Sequence, residues 1–199
     1  MNKYPKFAQV GNRKYTINTD FEVALECNEI AQDNTISDEE RAIAIIYKLF
    51  GNEGLDNCED WEQLLQIAMK YLNCNKDTIQ TENDDEPNMD IKQDWSYIKS
   101  SFFYDYNINL DEVKMHYWEF FDLLCGLSEK CVLNRVRFIR DYDTSQIKDS
   151  KELEKWQKQK ELVALNKIEN KKTPEEVRLD ELFERQLRGE WYFGWILKN

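Results

Sequence analysis

The chain has 199 residues, of which 41% are hydrophobic and 33% charged, with only 6 Gly and 3 Pro and a net charge of -12. That balance fits a helical globular protein of one domain or two small ones and argues against a disordered chain or a loop-rich sandwich. The negative charge also weighs against a general nucleic-acid binder, which needs clustered Lys and Arg to neutralise phosphate.

The charge is unevenly placed: residues 1–129 hold 11 basic and 26 acidic side chains, residues 130–199 hold 16 and 13. The acidic part would attract a basic partner, or simply form a solvated face. Cys27, Cys58, Cys74, Cys125 and Cys131 form an odd set without a CxxC pair, which indicates neither a disulfide framework nor a zinc ribbon and implies reducing cytosol. No apolar run approaches the roughly 20 residues of a membrane span, and the opening Met1-Asn2-Lys3-Tyr4-Pro5 lacks the apolar stretch of an export signal.

In chain order, Phe7-Ala8-Gln9-Val10 and Arg13-Lys14-Tyr15-Thr16-Ile17 flank Gly11-Asn12, the pattern of a two-residue hairpin. Asn18-Thr19-Asp20 then offers capping side chains to a helix through Phe21, Leu25 and Ile30. Ser37-Asp38-Glu39-Glu40 reads as a capping box before Ile43, Ile46, Leu49 and Phe50, with Gly51 as the stop. Trp61, Leu64, Leu65, Ala68, Met69 and Leu72 give a third amphipathic stretch over 59–72. Residues 73–89 are polar and acidic around Thr81-Glu82-Asn83-Asp84-Asp85-Glu86-Pro87, a linker or mobile loop.

Helical spacing resumes with Ile91, Trp95, Ile98, Phe102 and Phe103 over 90–106, and with Leu110, Val113, Tyr117, Phe120, Phe121 and Leu124 over 110–125. This aromatic pair of helices should form the core of the second half. Ser128 is placed to cap a helix with Val132, Val136 and Ile139. Lys151 to about Lys167 is a charged helix with Leu153, Trp156, Lys160 and Val163 on one side. Thr173-Pro174-Glu175-Glu176 starts another helix, with Pro at its first position, before the apolar run Trp191, Tyr192, Phe193, Trp195, Ile196 and Leu197. Such a run should be docked on its own chain or on a partner. The fold class is therefore mainly α, a multi-helix bundle with a short N-terminal β-hairpin. It divides into 1–72 (hairpin and three helices), 73–89 (acidic linker), 90–169 (aromatic-rich helices) and 170–199 (helix and apolar tail).

No constellation in the sequence is equipped for catalysis. His116 is the single histidine and sits on an expected helix, so packing or hydrogen bonding is its expected role. Cys125, nine residues on, would face another side of a straight helix, out of reach as its nucleophile. Glu39-Glu40, Asp84-Asp85 and Glu175-Glu176 fall at helix starts or in the acidic loop, where the helix dipole and solvation account for them. Neither GxxxxGKS nor GxGxxG occurs, and no cofactor or metal is expected.

Two stretches resemble the bacteriophage gene-product-fifteen family of the tail-morphogenesis region of phages and prophages of Gram-positive bacteria. One is Tyr15-Thr16-Ile17-Asn18-Thr19-Asp20-Phe21. The other runs from Asp90 through Tyr97-Ile98, Phe102-Phe103, Tyr106, Ile108-Asn109-Leu110, Met115-His116-Tyr117-Trp118-Glu119-Phe120, Leu124, Gly126-Leu127 and Arg140 to Ile147-Lys148-Asp149. Tyr117 stands where the family usually has the first of two Trp, Glu22 replaces its usual Arg, and residues 170–199 extend past the shared part. The resemblance implies a non-enzymatic tail assembly chaperone of the host cytoplasm. Its expected partners are phage proteins: the tape measure protein, tail tube subunits or a companion chaperone, with self-association a further expectation and neither nucleic acid nor membrane involved. The alternative is a component retained in the finished tail. The candidate binding residues are Trp118, Trp191, Tyr192, Phe193, Trp195, Ile196 and Leu197.

Overall fold

A Gly-Asn turn starts the architecture in the computed structural model, which describes residues 4–75 and 87–166. Gly11 takes φ +55, the left-handed conformation that tight strand connections require, and closes β1 (Phe7–Val10) onto antiparallel β2 (Arg13–Thr16) with Ala8 opposite Tyr15. Ala8, Val10 and Tyr15 face the core. The Tyr15 hydroxyl donates to Asp60 at 2.6 Å and Arg13 donates to the same oxygen at 3.0 Å. The tyrosine bond, then the guanidinium, holds the Asp60 carboxyl below its usual value. A carboxylate with a depressed folded-state pKa stabilises the fold above its unfolded pKa, and that contribution is lost as pH falls through the folded value. Tyr15→Phe should therefore raise the Asp60 midpoint in an NMR titration; an unmoved midpoint would assign the shift to Arg13 alone.

Asp20 caps α1 (Phe21–Gln32), accepting from the Glu22 N–H at 3.2 Å. Phe21, Ala24 and Cys27 point inward, and burial pushes the Cys27 thiol up to about 12, so it behaves as a small apolar side chain. Ser37 and Glu40 form the expected reciprocal capping box at the start of α2 (Asp38–Asp56).

Gly51 breaks α2 rather than ending it. It adopts φ +66, ψ -159, and helix resumes to Asp56 because Gly54 nests against Phe50 and Ile46, where a Cβ would lie 2.8 Å from the Phe50 Cβ. The indole N–H of Trp61 fastens this last turn by donating to the Gly54 carbonyl at 3.0 Å. Only glycine occupies the Gly51 conformation without strain, so Gly51→Ala should cost about 1–3 kcal/mol in chemical denaturation. A loss under about 0.5 kcal/mol, the range of an ordinary surface change, would contradict it.

One 3-10 turn, Cys58–Asp60, leads into α3 (Trp61–Leu72). Leu64, Ala68, Tyr71 and Leu72 are buried, while Met69, assigned to the inner stripe by spacing, is 41% exposed. Tyr71 takes its place inside.

Beyond the acidic segment, α4 (Trp95–Tyr106) buries Ile98, Ser101 and Phe102. It starts five residues later than expected, residues 91–94 forming a turn, and Asn107 in the left-handed conformation ends it. The expected helix over 110–125 is shorter, α5 covering only Tyr117–Cys125. Leu110 is buried and Val113 packs on the core, but from a loop in which Asn109 accepts from the Asp111 N–H and residue 116 bridges to Asp20. Tertiary contact, not helical periodicity, places those side chains.

α6 (Val132–Asp141) is capped by Cys131, whose sulfur accepts from the Asn134 N–H at 3.5 Å, and not by Ser128. Ser128 is engaged elsewhere, donating through both its N–H and its hydroxyl to Asp105 at 2.7 and 2.8 Å. α7 (Ser150–Val163) is capped by Asp149 and ends before Ala164, short of the expected Lys167. None of its residues is buried; it leans on α6 through Trp156, stacked on Tyr142 at 3.9 Å.

A mainly helical body with a short N-terminal hairpin results, as the sequence predicts. Its core is continuous across both halves, with Phe120 sandwiched between Phe21 and Phe102 at ring separations of 4.9 and 5.3 Å. Asp94, 1% exposed, forms a bidentate pair with Arg140 at 2.7 Å, and Arg140 also donates to the carbonyls of Val163 and Asn88. One guanidinium thus joins α4, α6, the end of α7 and the chain entering the second half.

Candidate protein-interaction surface

The two stretches that carry the family resemblance, separated in sequence by residues 22–89, meet along one seam. The Phe21 N–H donates to the Met115 carbonyl at 3.1 Å and the Tyr117 N–H to the Thr19 carbonyl at 2.8 Å, so the start of α1 and the start of α5 pair like two antiparallel segments. His116 is not within a helix, as the sequence suggested, but at the N-cap of α5. Its Nδ1 accepts from the Trp118 N–H at 3.0 Å, which leaves the hydrogen on Nε2, and Nε2 donates to the Pro5 carbonyl at 2.8 Å. Both ring nitrogens are committed to structure.

Around this cap, Tyr4 stacks on the imidazole at 5.0 Å and donates to Asp122 at 2.8 Å, a bond that raises the Tyr4 pKa. Trp118 is half-buried: its indole N–H donates to the Tyr71 carbonyl at 2.8 Å and its ring stacks on Tyr71 at 5.9 Å. The neighbouring Tyr117 reaches inward to the Leu72 carbonyl at 3.0 Å and accepts from Asn28, with burial raising its pKa. Tyr71 is buried and its hydroxyl has no hydrogen-bond partner among the described residues. An unpaired buried hydroxyl costs about 1–3 kcal/mol, so Tyr71→Phe should leave stability unchanged or raise it, read as the urea midpoint. A loss above about 1 kcal/mol would show that the hydroxyl is paired.

The free surface lies on the far side of α4. Phe103 and Tyr104 are 60% and 67% exposed and line an open groove with Lys99, Ser100, Asn109 and Asp111. Lys99 donates to Asp111 at 2.9 Å across one side of it. A smaller apolar groove on α2 is lined by Ile43, Ala44, Tyr47 and Leu55. Phe138 on α6 and Leu162 on α7 are also exposed, at 60% and 79%.

Of the binding residues expected from sequence, Trp118 sits at the seam with one edge to solvent. Trp191, Tyr192, Phe193, Trp195, Ile196 and Leu197 lie outside the described residues. Spacing alone assigned Phe103 to the core and passed over Tyr104. A partial signal was present: Ile98 and Phe102, four residues apart, set one stripe of the helix, and Phe103 lies about 100° round from Phe102, towards the edge of that stripe.

No group of His, Cys, Asp and Glu able to hold a metal occurs among the described residues. Nor is any described helix long and apolar enough to cross a membrane. Fold and surface define a class, a mainly helical body with an N-terminal hairpin and an exposed aromatic groove. Residues 3–165 match the family model described as Bacteriophage Gp15 protein, and the chain belongs to that family. No curated protein and no solved structure matches it.

Proposed function

We propose that the protein is a non-catalytic tail assembly chaperone, acting in the cytoplasm of the bacterial host and binding the phage tape measure protein, tail tube subunits or both. The observation that carries the binding reading is the adjacent pair Phe103 and Tyr104, large and exposed over an open groove of a body that falls within a phage family. Aromatic side chains at the centre of a groove are the usual anchors of protein interfaces. The committed nitrogens of His116 support a structural role for the single histidine. A chaperone acts during assembly and leaves. Mass spectrometry of purified particles should find it absent, while deletion of its gene should lower tail yield or alter tail length. Stoichiometric amounts in the particle would replace this reading with a retained tail component.

A further inference from the structure

On α4 and the turn before it, Gln93, Tyr97, Ser100 and Tyr104 succeed one another at spacings of four, three and four, so they share one stripe of the helix. The described body ends on this same stripe. Asn166 donates its N–H to the Gln93 side-chain oxygen at 2.7 Å, and the Gln93 amide donates to the Asn166 carbonyl at 3.2 Å. Whatever follows Asn166 therefore sets out from the N-terminal end of α4. Phe103 and Tyr104 lie ten and eleven residues further along, about 15 Å at the helical rise.

Residues 191–197, Trp-Tyr-Phe-Gly-Trp-Ile-Leu, carry six large apolar side chains, and residues 167–190 separate them from that clasp. Twenty-four residues span about 36 Å even as one continuous helix and more when extended, so their length suffices for the distance to be covered. Tethering of this kind raises the concentration of the segment at its site to about the millimolar range for a short linker. The groove offers two exposed aromatic faces to a segment whose own large side chains would otherwise meet water.

We propose that residues 191–197 dock in cis onto the α4 groove lined by Phe103 and Tyr104. Where that groove also serves a phage partner, the segment is its intramolecular competitor, and a partner must displace it. The docking itself does not rest on the tail assembly reading, so it is tested on the isolated full chain.

In a background with Cys58→Ser, Cys74→Ser and Cys125→Ser, Ser100→Cys is combined with Gly194→Cys and oxidised at low micromolar concentration. The products are read by intact and peptide mass spectrometry. A matched chain carries Tyr47→Cys, in the α2 groove, in place of Ser100→Cys. The expected result is an intrachain disulfide in about tenfold or greater excess over the Tyr47→Cys chain, as tethering to a specific site implies. Adding Phe103→Asp and Tyr104→Asp, both at exposed positions that leave the core intact, should lower the yield about tenfold. Equal yields at the two grooves, a predominantly interchain product, no disulfide at all, or a yield unaffected by the two aspartates would each overturn the proposal.

Discussion

Phe120→Ala should lower the unfolding free energy by about 3–5 kcal/mol, the usual cost of truncating a large buried aromatic. Phe120 has no exposed surface and stands between Phe21 of α1 and Phe102 of α4, with Trp95 at 6.3 Å. Two elements, α1 and α4, converge on this one ring of α5. Removing it deletes two stacked contacts, each worth about 0.5–1.5 kcal/mol beyond area, and opens a cavity between helices that cannot all move inward together. Phe120→Leu, which keeps most of the volume, should cost clearly less. Urea denaturation monitored by tryptophan fluorescence measures both. A loss under about 1 kcal/mol for the alanine would mean that the stack does not hold the halves together.

The second large effect concerns the buried ion pair. Asp94→Ala should destabilise by about 3–5 kcal/mol, because it leaves the Arg140 guanidinium inside without its carboxylate. The geometry explains the size: Arg140 is 10% exposed at its side chain, and its remaining bonds, to the Val163 and Asn88 carbonyls, do not neutralise its charge. Replacing both partners by apolar residues, Asp94→Leu with Arg140→Met, removes charge and desolvation cost together. That double variant should recover most of the loss. Urea titrations of the two single variants and the double complete the cycle; additive losses would show that the residues do not act as a pair.

Much of this architecture was legible because its determinants are local. The Gly-Asn turn, the Asp20 cap and the Ser37 to Glu40 box need only neighbouring residues, and each stands where the sequence predicts it. Features decided by distant contacts were not legible. His116 leaves the helical pattern because Asp20 and Pro5 hold it, and neither is near in sequence. Ser128 loses its cap to Cys131 because Asp105, on another element, binds it first. Arg140 reads as one more charge on an amphipathic helix until Asp94 arrives from α4.

The surface was harder still. The resemblance brought out Trp118 and apolar composition the run from Trp191 to Leu197, but periodicity hid Phe103 and Tyr104. An aromatic beside a core residue on a helix can lie inside or outside, as the adjacent buried pair Tyr71 and Leu72 shows. On α4 the buried stripe runs through Ile98, Ser101 and Phe102 and leaves Phe103 outside.

Transient service to a phage partner is open to direct test by co-expression with the tape measure protein of the same genome. The measured quantity is the soluble, co-purifying fraction of the tape measure protein with and without this chain. The expected result is a tape measure protein that is mostly insoluble alone and soluble in complex when the chain is present. A tape measure protein whose solubility is the same in both cases, with no complex recovered, would contradict it.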